Sequence, residues 1–211
     1  MFKRESLILN FKIGFTLAEV LITLVVVGVI AAMTIPTIIY ETKKTEYSAR
    51  LKKFYSTMKQ LELMAKAKNK SWDVWAEDTH SGYGVDIVED FVKEYLLPFM
   101  QYSKSETIDS WVLVYLNDGS YFKIGKGQCL DFVFDVNGGK KPDIEGNDEF
   151  RFLYCPKGNT GWNIISSFIP YQYSEYSRET ALNLCSTNGS YCSALLLIDG
   201  WEFKDDYPHK I

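Results

Sequence analysis

The segment "GFTLAEVLITLVVVGVIAAMTIP", residues 14–36, decides how this chain is organised. Between Phe15 and Ile39 there is one charged side chain, Glu19. Because a helix rises about 1.5 Å per residue, this run is long enough to cross a hydrocarbon core of roughly 30 Å. A charge at the middle of such a segment costs on the order of 2.5–3.5 kcal/mol. Glu19 therefore needs either a route to the membrane interface or a partner.

Three interpretations of this N-terminus are open. The first is an ordinary secretory signal peptide that is cut after Ala31, and the second is a signal anchor that stays uncut. In the third, the chain is cut between Gly14 and Phe15, so that the whole apolar helix is retained. The leader, residues 1–14, carries three basic side chains against one acidic side chain, which is the charge expected before a membrane-targeting segment.

The stretch "KIGFTLAEVLITLVVVGVIAAMTIP" resembles the N-terminal signature of type IV pilins and of the pseudopilins of type II secretion systems. In that family a short basic leader ends in Gly, the mature chain usually begins with Phe, a T-L-x-E pattern follows, and the apolar run reaches a Pro. The matching residues are Gly14, Phe15, Thr16, Leu17, Glu19 and Pro36. The resemblance covers about the first quarter of the chain strongly and favours the third interpretation.

The resemblance implies a processing site and an assembly site. A prepilin peptidase would cleave between Gly14 and Phe15, and the new amino group of Phe15 would be N-methylated. In the filament, Glu19 would pair with the N-terminal amine of a neighbouring subunit, with Gly28 and Pro36 as further assembly positions. The implied partners are copies of the chain, other pilin-like subunits, the prepilin peptidase and an inner-membrane assembly platform.

The implied location is the bacterial cytoplasmic membrane, with a single pass and the C-terminal domain outside, and then an extracytoplasmic filament. The distribution of basic residues disagrees with this orientation. The leader has three Lys or Arg residues, whereas residues 40–59 have six. We give the cleavage motif precedence because a long trailing domain translocates largely regardless of its charge.

The pattern predicts four segments: a leader over 1–14, a membrane-spanning helix over 15–39, an amphipathic continuation over 40–70 and a globular domain over 71–211. Gly28 and Pro36 predict a kink or local melting of the helix. The continuation has an apolar stripe at steps of four and three residues, with Glu62 and the lysines on other faces. The members of that stripe are Tyr47, Leu51, Phe54, Met58, Leu61 and Ala65.

The globular segment predicts an α+β fold, a long N-terminal helix packed on an antiparallel sheet, which is also the pilin arrangement. Helices are predicted over "VDIVEDFVKEYLLP" and "SRETALNLCS". A hairpin is predicted at Asp118-Gly119, because Asp-Gly between two apolar runs is a strong turn signal. Further strands are predicted at "CLDFVFDV", "EFRFLYC", "WNIISSF" and "ALLLIDGWEF".

Four cysteines follow the anchor: Cys129, Cys155, Cys185 and Cys192. Their spacing argues against a zinc site, and an even count beyond a membrane segment suits two disulfides in an oxidising compartment. Of the three possible connectivities we favour Cys185–Cys192, which closes a short loop, and Cys129–Cys155, whose segments look like neighbouring strands. Four reduced, buried thiols are the alternative.

The stretch "DFVFDVNGGKKPDIEGNDEF" is rich in carboxylates and amides, and hard oxygens clustered on turns suit Ca²⁺. Within it, Asp135-Val136-Asn137-Gly138 resembles the start of an EF-hand loop, but the later ligands are missing. It is also similar to a loop of pseudopilins, some of which bind calcium there. The candidate ligands are Asp131, Asp135, Asn137, Asp143 and Asp148. The alternative is a hairpin turn at Asn137-Gly138 with solvated acids around it.

Composition and motifs argue against other function classes. A net charge of −4 argues against a general nucleic-acid binder. The sequence shows no phosphate-binding glycine loop and no G-x-S-x-G motif, and its only histidines are His80 and His209, so no catalytic constellation is predicted. We expect a structural filament subunit, not an enzyme. The alternative is a secreted or membrane-tethered monomeric domain that binds sugar or protein.

Overall fold

The computed structural model describes residues 14–68, 72–73, 84–127, 129–155 and 167–211. Two compact units are present, Met1–Thr42 and Lys43–Ile211. Helix α1, Leu17–Ala67, is 51 residues long and contributes to both. This confirms that the apolar run and its amphipathic continuation form one helix.

In the first unit, α1 is apolar on all sides. By length and composition it could cross a membrane. The hydroxyl groups of Thr23, Thr34 and Thr42 donate to backbone carbonyls one turn earlier, at distances of 2.7–3.0 Å. These polar side chains are thus satisfied within the helix itself, which is what a lipid environment requires.

In the second unit, α1 buries one face. All six residues of the predicted apolar stripe are buried. The expectation for Glu62 was wrong: its residue exposure is only 3 %, because it lies beside Leu61 at the edge of the buried face. Lys59, Lys66 and the backbone N–H of Phe168 surround its carboxylate.

Six antiparallel strands form a single sheet in the order β1-β2-β3-β4-β5-β6, so every strand pairs with its sequence neighbour. The strands are β1 Lys104–Ile108, β2 Trp111–Tyr115, β3 Tyr121–Lys126, β4 Leu130–Asp135, β5 Glu149–Tyr154 and β6 Phe168–Pro170. The hairpin predicted at Asp118-Gly119 joins β2 to β3, where the Leu116 N–H donates to the Ser120 carbonyl at 2.9 Å. Strand β1, which is polar and mostly exposed, was not predicted because it lacks an apolar alternation.

The core lies between α1 and one face of the sheet. Alternate residues of β3 and β4 pair across the strands, as Phe122 with Phe134 and Ile124 with Phe132. Phe54 of α1 stacks on Phe134 with ring centroids 4.2 Å apart. This aromatic layer holds the helix against the sheet and fixes where the β4–β5 loop lies.

In the described part of the second unit, three further α-helices lie outside the sheet. Helix α2, Val85–Phe91, continues through a π turn at Val92–Leu96 and a 3₁₀ turn at Leu97–Phe99. Helix α3, Arg178–Thr187, was predicted, and Ser177 caps it. The strand predicted at "ALLLIDGWEF" was wrong, because helix α4, Cys192–Ile198, occupies that run. A short, fully apolar run has no periodicity that separates a buried helix from a buried strand. Most of the predicted strand "WNIISSF", residues 162–166, lies outside the described residues.

Candidate processing and assembly site

Gly14, Phe15 and Thr16 precede α1 and have no regular secondary structure. The Thr16 carbonyl accepts a 3.2 Å hydrogen bond from the Val20 N–H, which makes Thr16 the N-cap of the helix. The peptide bond between Gly14 and Phe15 therefore lies just outside the helix. Phe15 is 85 % exposed.

Thr16 and Glu19 form a reciprocal pair at the start of α1. The Glu19 N–H donates to Thr16 Oγ1 at 3.2 Å. In return, Glu19 Oε2 accepts from the Thr16 N–H at 2.8 Å and from the Thr16 hydroxyl at 2.7 Å. This is a capping box, in which each side chain satisfies a backbone N–H that the first helical turn leaves without a partner.

The capping box gives Glu19 a role within its own chain. Its carboxylate satisfies the Thr16 N–H and places a negative charge at the positive end of the helix dipole. Both Thr16 donors contact Oε2, so within the described residues Oε1 is left to accept from another donor. The sequence carries a signal for this cap that the sequence analysis missed, namely Thr-x-x-Glu at the start of an apolar run.

Gly28 and Pro36 lie within continuous helix. Residues 17–67 are helical throughout, so the predicted local melting does not occur in this structure. A Cβ added to Gly28 would meet no atom within 4 Å, so no other described residue packs on the helix at this position. The assembly roles of Gly28 and Pro36 remain predictions.

The four cysteines form two disulfides. Cys129 pairs with Cys155 at the ends of the neighbouring strands β4 and β5, and Cys185 pairs with Cys192 between α3 and α4. These are the two pairs that we favoured from the sequence. His209 lies near the second disulfide, where its Nε2 is 2.9 Å from the Cys185 carbonyl oxygen. Although these three residues are close enough to hold a metal, disulfide sulfurs are not thiolate ligands.

The five candidate calcium ligands do not converge. Asp131 and Asp135 lie at opposite ends of β4, four residues apart, or about 13 Å along a strand. In the part of the chain that the structure describes, no three carboxylates place their oxygens within 4.8 Å of one another. Burial raises the pKa of Asp131, and Arg151 partly opposes this.

Asp135, Asn137 and Asp148 do come together. Asp135 is fully buried and accepts from three successive backbone N–H groups, and Asp148 accepts from Asn137 Nδ2 at 2.8 Å. Burial raises the pKa of Asp135, while its N–H donors act in the opposite direction. Asp143 pairs with Lys141 at the surface.

Two family models match this chain. One, described as the prokaryotic N-terminal methylation motif, matches residues 10–35, which contain the capped helix start. The other, described as a family of unknown function (DUF6613), matches residues 37–211. No curated protein and no solved structure matches the chain.

Proposed function

Because the chain belongs to the family of unknown function DUF6613 and begins with the prepilin-type methylation motif, we propose that it assembles as a structural subunit of a type II secretion pseudopilus or a type IV pilus-like filament. The motif supports a type IV pilin-like or pseudopilin precursor. The observation that carries the proposal is a capped, membrane-length apolar helix that begins at Leu17, two residues after the Gly14-Phe15 bond.

Processing would hydrolyse the peptide bond between Gly14 and Phe15. A protease binds its substrate in an extended conformation, and the cap at Thr16 keeps residues 14–16 out of the helix. The products are a leader that ends in the carboxylate of Gly14 and a mature chain that begins with the amine of Phe15. N-methylation of that amine would keep its positive charge.

The assembly step would use the second oxygen of Glu19. In an apolar bundle, an ammonium group and a carboxylate attract each other far more strongly than in water. Oε2 is held by Thr16, whereas Oε1 can accept from the amine of Phe15 in a neighbouring copy. Capping and pairing therefore do not compete for the same oxygen.

The second unit would lie outside the cytoplasm. Two disulfides support this placement, because disulfides persist in oxidising compartments. The distribution of basic residues opposes this placement, because more Lys and Arg residues follow the span than precede it.

Mass spectrometry of the protein purified from cells that carry a prepilin peptidase and a filament assembly machinery tests the proposal. We expect a mature chain that begins at methylated Phe15. A start at Ala32 would instead support a secreted binding domain, and an intact Met1 would support a plain membrane anchor.

Two variants separate the charge of Glu19 from its capping role. Gln at position 19 can still accept the Thr16 hydrogen bonds but carries no charge, whereas Ala removes both functions. We expect Glu19→Gln and Glu19→Ala to be cleaved normally and to enter sheared filaments at least tenfold less than the unsubstituted chain. Normal incorporation of Glu19→Gln would contradict the pairing of charges.

A further inference from the structure

The loop between β4 and β5, residues 136–148, carries the acidic residues whose resemblance to a pseudopilin loop implies a bound calcium ion. Whether these residues fit a cation depends on which of their oxygens are already occupied. Ca²⁺ takes about six to eight oxygen ligands from carboxylates, carbonyls and water.

Asp135 is the last residue of β4, and both of its carboxylate oxygens accept hydrogen bonds from the backbone of the loop. Oδ1 accepts from the N–H groups of Asn137 and Gly138 at 3.0 and 2.8 Å, and Oδ2 accepts from Gly139 at 3.0 Å. Gly138 and Gly139 both have φ of +78°, a conformation that L side chains rarely adopt. Three converging N–H groups satisfy this buried carboxylate, as an anion-binding nest does.

Asp148 closes the loop in the same way. Its Oδ1 accepts from the Ile144 N–H at 2.6 Å, and its Oδ2 accepts from Asn137 Nδ2 at 2.8 Å. The side-chain oxygen of Asn137 accepts from the Lys140 N–H at 2.8 Å. Asp135, Asn137 and Asp148 are therefore bonded to one another and to the loop backbone.

Two buried oxygens in the loop lack a hydrogen-bond partner, Asp143 Oδ1 and Asn147 Oδ1. Two side-chain oxygens are far fewer than the roughly six to eight ligands that Ca²⁺ takes, so backbone carbonyls and water would have to provide most of the site. The negative charge nearby is also balanced by lysines, because Lys123 pairs with Glu149 at 2.7 Å and Lys141 pairs with Asp143. The residues present do not fit a calcium ion.

The outer side of the loop is covered by the C-terminal tail, residues 201–211. The Tyr207 hydroxyl donates to the Gly146 carbonyl at 2.6 Å. A Cβ on Gly146 would lie 2.8 Å from His209 and 3.0 Å from Cys192, so the tail and α4 pack directly on this glycine. Tyr207 is thus the main polar link between the tail and the loop.

The segment between α3 and α4 provides a second clamp. Glu145 accepts hydrogen bonds from Arg151 Nε at 2.5 Å and from the Ser190 hydroxyl. A Cβ on Gly189 would come within 2.1 Å of the Glu145 carbonyl oxygen, so the two backbones touch there. The Cys185–Cys192 disulfide spans this same segment.

We infer that the loop over residues 136–148 holds its conformation without a divalent cation. Its own backbone N–H groups donate to both oxygens of Asp135, and the C-terminal tail supplies through Tyr207 the closure that a bound ion would otherwise provide. The inference concerns the second unit alone and does not depend on the proposed filament.

Thermal unfolding of the full mature chain in detergent tests the absence of a cation. A site filled about 50-fold above its dissociation constant would raise Tm by several degrees. We expect Tm in a chelator and Tm in 5 mM calcium chloride to agree within about 1 °C. A rise of several degrees that Asp148→Asn abolishes would overturn the inference. If Asp148→Asn shows the same rise in Tm, calcium binds outside the loop, and the inference stands.

Hydrogen exchange of the same protein tests the clamp. We expect Tyr207→Phe to speed the exchange of amides 144–149 on the order of fivefold, equally with and without calcium, because one hydrogen bond to the loop is lost. Tyr176→Phe is the matched control, since the Tyr176 hydroxyl donates at 2.9 Å to the Gln172 carbonyl, outside the loop. If the two variants leave these amides equally protected, Tyr207 does not close the loop.

Discussion

Glu62, a carboxylate on the buried face of α1, joins this helix to the start of β6. Its two oxygens contact Lys59 at 3.0 Å and Lys66 at 3.1 Å. The Phe168 N–H and the Ser167 hydroxyl each donate to Oε2 at 3.2 Å. Burial raises the pKa of Glu62, but these donors outweigh burial and hold the pKa below its ordinary value of 4.5. The ionised form therefore stabilises the fold.

We predict that Glu62→Gln lowers the free energy of unfolding by about 1.5–3 kcal/mol at pH 7, because charge-assisted hydrogen bonds are lost. A carboxyl pKa that is lowered on folding stabilises the protein fully above about pH 4.5, and this contribution is lost as the pH falls through the lowered value. The difference between the unsubstituted chain and Glu62→Gln should therefore shrink at pH 3 in urea denaturation.

Glu46→Gln is the control for Glu62→Gln, since it removes an exposed pair with Arg50 one turn apart on the same helix. We expect Glu46→Gln to cost no more than about 0.5 kcal/mol. A cost for Glu62→Gln that matched this control, or that stayed constant down to pH 3, would contradict the role given to Glu62.

At the scale of elements, the second half of α1 is held by one aromatic layer. Phe54 lies within 6.0 Å, centroid to centroid, of four phenylalanine rings contributed by four strands. Those rings belong to Phe122, Phe134, Phe152 and Phe168. One side chain of the helix thus contacts rings from β3, β4, β5 and β6 together.

We predict that Phe54→Ala lowers the free energy of unfolding by about 3–5 kcal/mol, because it removes buried surface and leaves a cavity. Leu63→Ala, on the exposed face of the same helix, should change it by no more than about 0.5 kcal/mol. Urea denaturation of the full chain in detergent, followed by tryptophan fluorescence, measures both. Similar costs for the two variants would show that α1 is not anchored through Phe54.

At the scale of the whole molecule, the two disulfides close loops of very different length. Cys129 and Cys155 are separated by 26 residues, and Cys185 and Cys192 by 7. The first crosslinks adjacent strands of the sheet, and the second links α3 to α4 beside the C-terminal tail. A crosslink stabilises chiefly by restricting the unfolded chain, and more so for a longer loop.

We predict that Cys129→Ala/Cys155→Ala lowers the free energy of unfolding by about 3.5 kcal/mol and that Cys185→Ala/Cys192→Ala lowers it by about 2.4 kcal/mol. Each double variant leaves the other disulfide as an internal reference. Denaturant unfolding without reductant measures the two costs. The reverse order would mean that local packing around α3 and α4, and not loop length, controls the effect.

Features encoded in short stretches could be predicted from the sequence. The anchor helix, the buried stripe from Tyr47 to Ala65 and the Asp118-Gly119 hairpin each depend on residues a few positions apart. The periodicity of a helix and the chemistry of a turn act over that distance. The processing motif belongs to the same class, since Gly14, Phe15 and Glu19 lie within six consecutive residues.

Other features could not be predicted because their partners are far apart in the chain. Glu62 accepts a hydrogen bond from Phe168, 106 positions away, and the Gly146 carbonyl accepts one from Tyr207, 61 positions away. The apolar sequence of α4 is compatible with a buried strand or a buried helix, and only its tertiary contacts decide between them. Sequence alone therefore determined that this is a chain with an apolar helix of membrane-spanning length, a prepilin-type N-terminal motif and an antiparallel sheet. The tertiary structure decided how the acidic loop is held, because hydrogen bonds between distant segments leave no local pattern.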